Sequence, residues 1–492
     1  MKKTGLVVVV ILLVLGGAMS IRAMQHTPDA SARVERVNVA VDADIAARHL
    51  GEAIRFRTVS YQNEADMAVD QFEGFIAWVK RTYPEVQAAM TLTMAGQYTL
   101  LYRWEGSDPT LAPILVTGHY DVVPVIPGTE ARWSQPPFAG NVSNGMIYGR
   151  GALDDKSAVV AQLEAATVLL RDGYRPARTV YFSFGHDEEV SGTRGAAAVV
   201  DILRGQGVQL AWTLDEGSFL FDGMFPGVTT LLAPINVAEK GYLTLDIVAS
   251  SEGGHSSMPP VHTAAGHLAQ AISALEDNPV PGGLDGLSGA MFDTASRYMD
   301  FGYRLAFANR WAFGSVLENQ LSRVPFGNAM LRTTTATTML SGSVKENVLP
   351  IEAVATVNFR LHPRDSVEDI VSYVKGLVEN EHVKVRPKEG GNAASPVSDW
   401  QGPGYASIGQ AVREVYGDVG VMPGIMVAAS DSRHYGQIAD DAYRFNPMVV
   451  TQEDMTGFHG TDEKLAVDTL AQGVRTYVRI LRHGGGNGVG QE

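Results

Sequence analysis

Four apolar runs in this chain each end in a cluster of ionisable residues. ILVTG (114–118) leads into His119 and Asp121, and TVYFSFG (179–185) leads into HDEE (186–189). LAWTL (210–214) leads into Asp215 and Glu216, and GIMVAAS (424–430) into Asp431, Ser432 and Arg433. Short runs rich in β-branched and aromatic residues read as buried strands. KSAVVAQLEAATVLLRD (156–172) reads as a helix stopped by Gly173, with Asp154 and Asp155 just before it. GTRGAAAVVDILRG (192–205) is helix-like as well. Strand, polar cluster and helix in repetition predict an α/β fold with a mostly parallel sheet. In such sheets ligands bind beyond the carboxyl ends of the strands. Each cluster follows its strand, so Asp121, Asp154, Glu188, Glu189 and Asp215 are placed to converge on one crevice.

The stretch 239–391 has a different rhythm. KGYLTLDIVAS (240–250) and EAVATVNFRLHP (352–363) alternate like half-exposed strands, and HTAAGHLAQAISAL (262–275) and SVEDIVSYVKGLVE (366–379) read as helices. This is the makeup of an α+β sandwich on an antiparallel sheet. It is expected as an insertion in a catalytic domain made of 32–238 and 392–483. Residues 276–340 carry no repeat and no usable motif. Their aromatics, Phe292, Tyr298, Phe301, Tyr303, Phe307 and Trp311, read first as core and second as the lining of an apolar pocket.

At the N-terminus two lysines precede an apolar stretch of 17 residues, Gly5 to Ile21. That is long for a signal peptide and short for a full span, so residues 1–25 read as one or the other. Arg22 makes SIRA a poor cleavage site, which favours an uncleaved anchor. Either reading puts the main body outside the cytoplasm: periplasmic, secreted or luminal. The tail, 484–492, with its run of glycines, is expected to be disordered. The 39 Lys+Arg against 54 Asp+Glu give a net charge of -15, which argues against a nucleic-acid partner. The chain has no cysteine, hence no thiolate metal site and no cysteine nucleophile.

Carboxylates crowded beside imidazoles cannot all stay ionised unless something compensates them. A dication does so. Oxygen and imidazole ligands suit zinc, with cobalt or manganese as substitutes, and the histidines argue against calcium or magnesium. One bridging carboxylate between two ions would make a two-metal hydrolase site.

GHYDVVP (118–124), GRGALDDK (149–156), GHDEEVSGTRG (185–195), LDEG (214–217), GGHSSMP (253–259), NFRLHP (358–363), SDSRHY (430–435) and FHGTDE (458–463) together resemble the M20 family of metallopeptidases and amidohydrolases. The likeness is strongest to its carboxypeptidase S and PM20D1-like branch. It covers nearly all of the chain after the first 30 or so residues. The resemblance implies a di-zinc aminopeptidase-like catalytic domain interrupted by a lid or dimerisation-type domain. It implies that Asp154 bridges two zinc ions, with His119 and Asp215 on one and Glu189 and His459 on the other. Glu188 would be the general base toward a hydroxide between the metals, Asp121 would orient His119, and a cis peptide would join Asp154 to Asp155. His255 would reach the substrate carbonyl, from the same chain or from a partner subunit. Asn347 and Arg360 would meet the substrate, and Arg433 is the best candidate to grip its carboxylate.

The expected reaction is hydrolysis of the amide bond to a C-terminal amino acid with a free carboxylate, on a small peptide. An N-acyl amino acid substrate is the alternative, because the ligand set does not report on the acyl side. A non-catalytic binding module would predict a missing base or ligand, and none is missing. A serine hydrolase would need a G-x-S-x-G elbow, which the chain lacks. Monomer and homodimer both remain open.

Overall fold

The computed structural model describes residues 2–487. Its central sheet has eight strands. They run, edge to edge, Thr91–Ala95, Thr99–Trp104, Val180–Gly185, Ile114–His119, Leu210–Phe221, Ala439–Val450, Leu232–Glu239 and Gly420–Met426. The strand Ile114–His119 lies between two parallel neighbours, and so does Leu210–Phe221. The sheet is therefore mixed but parallel at its middle, as the alternation of runs predicts. Every residue of Ile114–His119 and of Val180–Gly185 is buried, which is why both read as unbroken apolar runs. Their register pairs His119 with Gly185, so GHYD and HDEE emerge side by side. Helix Lys156–Arg171 follows Asp155 and has thirteen of its residues buried.

A second, four-stranded sheet is wholly antiparallel, in the order Thr334–Ser341, Glu352–Leu361, Gly241–Ser250, Val383–Pro387. Helices Ala264–Asp277 and Val367–Leu377 close over it and share a separate core with Leu245, Ile247 and Phe359. The Val367 helix begins with a capping box, Ser366 and Asp369 bonding reciprocally.

Two expectations need correction. Residues 286–331 fall within the stretch expected as the insertion, yet Leu287, Met291, Phe292, Ala295 and Leu331 pack into the first core. Helix Gly286–Ser296 covers the edge strand Gly420–Met426, which would otherwise be a bare edge. Of the aromatics there, Phe292 and Phe307 are buried and stacked, whereas Phe301, Tyr303 and Trp311 are exposed. The tail is also more ordered than its glycines suggest. Helix Val467–Gly485 runs through Gly484 and Gly485, Asn487 bridges to Pro176, and the His483 ring bonds Glu414 at 2.9 Å. Gly484 fits because a Cβ there would meet the Trp212 ring at 2.5 Å. Residues 488–492 lie outside the described residues.

Lys240 is the single residue between Leu232–Glu239 and Gly241–Ser250, the strands of the two sheets. It is buried, and its Nζ donates to the Arg332 carbonyl at 2.8 Å. Burial pulls its amine down to about 7, against the attraction of Asp365. The unfolded chain keeps that proton to about pH 10. The folded chain gives it up near pH 7, so this residue adds stability as pH rises between the two. Lys240→Met removes the dependence. The variant is expected to be more stable than wild type by on the order of 1–3 kcal/mol near pH 7. The gap should close toward pH 10 in guanidinium unfolding.

Candidate metal centre

His119 ends its strand and is buried. Its Nε2 lies 2.9 Å from Asp154 Oδ1, and its Nδ1 lies 3.1 Å from the Asp121 carbonyl and 3.4 Å from Asp121 Oδ1. Asp121 in turn accepts from Ser60 Oγ at 2.6 Å and from the backbone N–H groups of Glu188 and Glu189, each at 3.2 Å. One buried carboxylate thus fixes an imidazole and two glutamates on the neighbouring loop. Burial pushes Asp121 up, but the bonds to His119 and Ser60 outweigh it and hold the group ionised.

Asp154 turns its second oxygen to His459 Nε2 at 2.8 Å, and the same nitrogen lies 3.2 Å from Glu189 Oε2. Ligand atoms of Asp154, Glu189 and His459 lie within 4.8 Å of one another. The same holds for His119, Asp154 and Glu216, so Asp154 is common to two groups. The peptide between Asp154 and Asp155 is cis. Asp155 accepts from Asn446 Nδ2 at 3.0 Å and from the His119 N–H at 3.4 Å. Gly118 permits this approach, since a Cβ there would sit 2.8 Å from the Asp155 carboxylate.

Sequence reasoning gave no role to the residue that holds this loop. Glu463 is wholly buried and accepts from the N–H groups of Gly151, Leu153 and Asp154 at 3.0, 2.7 and 3.2 Å. Its other oxygen lies 2.6 Å from Arg150 Nη1, and Arg150 also bonds the Gly460 carbonyl. Both residues stand inside motifs already singled out, GRGALDDK and FHGTDE. Their pairing over three hundred positions left no local signal.

Of the two acids in LDEG, Glu216 and not Asp215 joins the group. Glu216 Oε1 is 3.9 Å from His119 Nε2. Asp215 accepts from the Glu216 N–H at 2.9 Å, and its Oδ2 is buried without a hydrogen-bond partner. The cause is a bulge: Asp215 faces Arg444 and Ser218 faces Phe445, leaving Glu216 and Gly217 without counterparts. If Glu216 is a ligand, Glu216→Ala lowers the metal bound per chain. Asp215→Asn then leaves it unchanged. Metal analysis after dialysis reads the difference.

The ion-free site is electrostatically overloaded. Burial pushes Glu188, Asp155 and Glu216 well above the carboxylate range, and neighbouring acids add to the effect. Burial and Asp154 raise Glu189 to about 7, while bonds to Asp154 and Glu189 raise His459 to about 10. Glu189 Oε1 is buried with no hydrogen-bond partner among the described residues. An orphaned carboxylate oxygen among converging acids and imidazoles is the donor set of a divalent cation, and these residues fit one.

The residues expected to meet substrate are more scattered. Arg433 is half-buried, its Nε donating to the Ser430 carbonyl at 3.1 Å. Beside it Glu239, Arg444 and Ser430 form a buried network, with Arg444 Nε 3.2 Å from Glu239 Oε2. His255 and Asn347 sit together on exposed loops of the second unit, where the Ser256 N–H bonds the Asn347 carbonyl at 3.2 Å. The His255 ring bonds Ser257 Oγ at 2.8 Å. Arg360 stacks over the Tyr242 ring at 5.0 Å. None of these three makes a hydrogen bond or ion pair with the ligand groups among the described residues.

The family model for Peptidase family M20/M25/M40 matches residues 115–483, a span that contains both ligand groups. The chain belongs to this family. It is therefore a hydrolase of a metal-dependent family, and its His, Asp and Glu clusters can hold metal. Among curated relatives of this M20 protein is "N-fatty-acyl-amino acid synthase/hydrolase PM20D1" of Xenopus tropicalis, 36% identical over 88% of this chain and 84% of that one. The Mus musculus protein of the same name is 38% identical over 88% and 86%. "Probable carboxypeptidase S-like 2" of Dictyostelium discoideum is 36% identical over 90% and 85%. Among solved structures, the M20 metallo-carboxypeptidase Sso-CP2 of Sulfolobus solfataricus superposes with TM-score 0.61 at 17% identity, covering 89% of this chain and 99% of that one. That likeness establishes the fold.

Proposed function

We propose that this M20 hydrolase cleaves the amide bond to a C-terminal amino acid bearing a free carboxylate, with two zinc ions per chain. The observation that supports it is the sharing of Asp154 between two ligand groups, with Glu188 Oε2 4.0 Å from His119 Nε2. His119, Asp154 and Glu216 would hold one ion, and Asp154, Glu189 and His459 the other. When bound, zinc supplies Lewis acidity and a lowered pKa for water. The chain's own residues do the rest. Glu188 takes a proton from the attacking water and passes it to the leaving nitrogen. Its burial suits this, because a raised pKa lets it carry a proton at neutral pH. Asp121 keeps His119 in one orientation and ties Glu188 and Glu189 to the same point. Arg433 pairs with the substrate carboxylate, and Arg360 and Asn347, which lie on the second unit, would have to be carried to it. His255 would donate to the carbonyl oxygen, carried in by the lid of the same chain or of a second copy.

A second reading is favoured by the relatives named N-fatty-acyl-amino acid synthase/hydrolase: the acyl side is a fatty acid instead of a peptide. One panel separates the two. Zinc-loaded protein is given Gly-Leu-type dipeptides, acetyl amino acids and oleoyl-phenylalanine, and free amino acid is read by mass. Dipeptide turnover supports the peptidase reading, and preferred release from the oleoyl compound the other. No turnover on any of the three overturns both. In whichever substrate wins, Arg433→Met is expected to raise KM at least about tenfold, the cost of losing a charge-assisted pair.

A further inference from the structure

The apolar N-terminal helix does not stand free of the protein. Helix Lys2–Gln25 packs against helix Phe301–Ala308. Ala23 is fully buried, and the His26 ring bonds the buried Ser296 Oγ at 2.8 Å. Asn309, itself fully buried, donates from Nδ2 to the Met19 carbonyl at 3.1 Å, and Arg297 reaches the Thr27 carbonyl at 3.4 Å. The last two turns thus occupy a socket built by 286–310, whereas Leu6–Ala18 is exposed throughout.

Length then sets a constraint. Leu6–Gln25 is long and apolar enough to cross a membrane. At 1.5 Å per residue its twenty residues reach about 30 Å, the thickness of a bilayer's hydrocarbon core. The exposed part, Leu6–Ala18, reaches only about 20 Å. A docked foot and a full span are compatible only if the socket itself sinks to the level of the headgroups. Its surface suits that position. Phe301, Tyr303, Trp311, Val316, Val324 and Phe326 are all exposed, and helix Arg310–Ser322 buries no residue. Trp311, 64% exposed, bonds Asn309, the residue that holds Met19. Aromatic side chains of this kind concentrate at membrane interfaces. Arg297, Arg304 and Arg310 act on His26 at the foot of the helix, and Arg297 is paired with Asp293 at 3.0 Å. Arginines near the foot of the helix suit a position at the headgroups.

We propose that the N-terminal helix is retained as an anchor, and that helices Phe301–Ala308 and Arg310–Ser322 rest in the interface of the same bilayer as a second contact. The partner is a phospholipid surface, and the socket fixes how the hydrolase stands on it.

The lack of any cysteine gives a direct test, since one introduced thiol carries one spin label. The full chain with Val316→Cys, and separately with Val344→Cys, is labelled with a nitroxide. Both are reconstituted in vesicles of phosphatidylcholine and phosphatidylglycerol. Val344 is 98% exposed on the second unit and reports on water. The expected result is a Val316 label relaxed by oxygen and shielded from a nickel chelate, with the Val344 label showing the reverse. Equal access of the chelate to both sites overturns the proposal. So does a Val316 label shielded from both reagents in detergent before reconstitution, which means that another protein copy covers the face. Mass analysis of membrane-recovered chain must find residues 1–25 attached, and their loss also overturns it.

Discussion

Glu188→Gln is expected to lower amide hydrolysis by at least about 10³-fold, within the range that positioned general acid–base catalysis contributes. Bound metal and the unfolding midpoint should stay as in wild type. The amide is nearly isosteric, and Glu188 is not among the residues of the two ligand groups. Its backbone N–H, which bonds Asp121, is also untouched. Under the proposed function, what disappears is the group that takes the proton from water and returns it to nitrogen. The effect should fall on kcat, because a proton in flight is a property of the transition state. A variant that loses metal along with activity would show instead that Glu188 is a ligand. Full activity would end the assignment.

Glu463→Gln is the larger change for stability. It leaves the Arg150 guanidinium buried with its only carboxylate partner among the described residues neutralised. Breaking one side of a buried ion pair costs about 3–5 kcal/mol. The amide must also place its oxygen toward the Gly151, Leu153 and Asp154 N–H groups, so its NH₂ faces the Arg150 donors. Denaturant unfolding should move accordingly, and metal should be lost at lower chelator concentration because Asp154 is carried by the same loop. Adding Arg150→Met to Glu463→Gln should recover part of the stability, since no unpaired charge then remains.

The fold was legible where buried strands are short and apolar and where each delivers its polar residues directly. His119, Asp121, Glu188 and Glu189 follow their strands without a break, so position along the chain was enough to place them together. His459, and the bridging role of Asp154, depended on the family resemblance, and the structure brings both residues to the same point. Asp215 is the ligand that the resemblance implies, and the structure groups Glu216 with His119 and Asp154 instead, because a strand bulge sets which acid points inward and a bulge leaves no composition of its own. The helices of 286–331 left no motif of their own, for a related reason. They continue the chain of the inserted unit, but their apolar faces belong to a sheet edge supplied from residues 420–426. His255, Asn347 and Arg360 stay apart from the ligand groups here, so their roles depend on a closure that neither periodicity nor this arrangement contains.

The clasp around Asp154 has a temporal meaning as well. Its loop is complete only when Glu463 and His459 arrive, some three hundred residues after Asp154 has been synthesised. A chain still attached to the ribosome carries the early ligands but not the late ones. It therefore has no assembled second ligand group with which to attack amides around it. Under the proposed function, order of synthesis alone keeps the newborn hydrolase latent until its last helix is made.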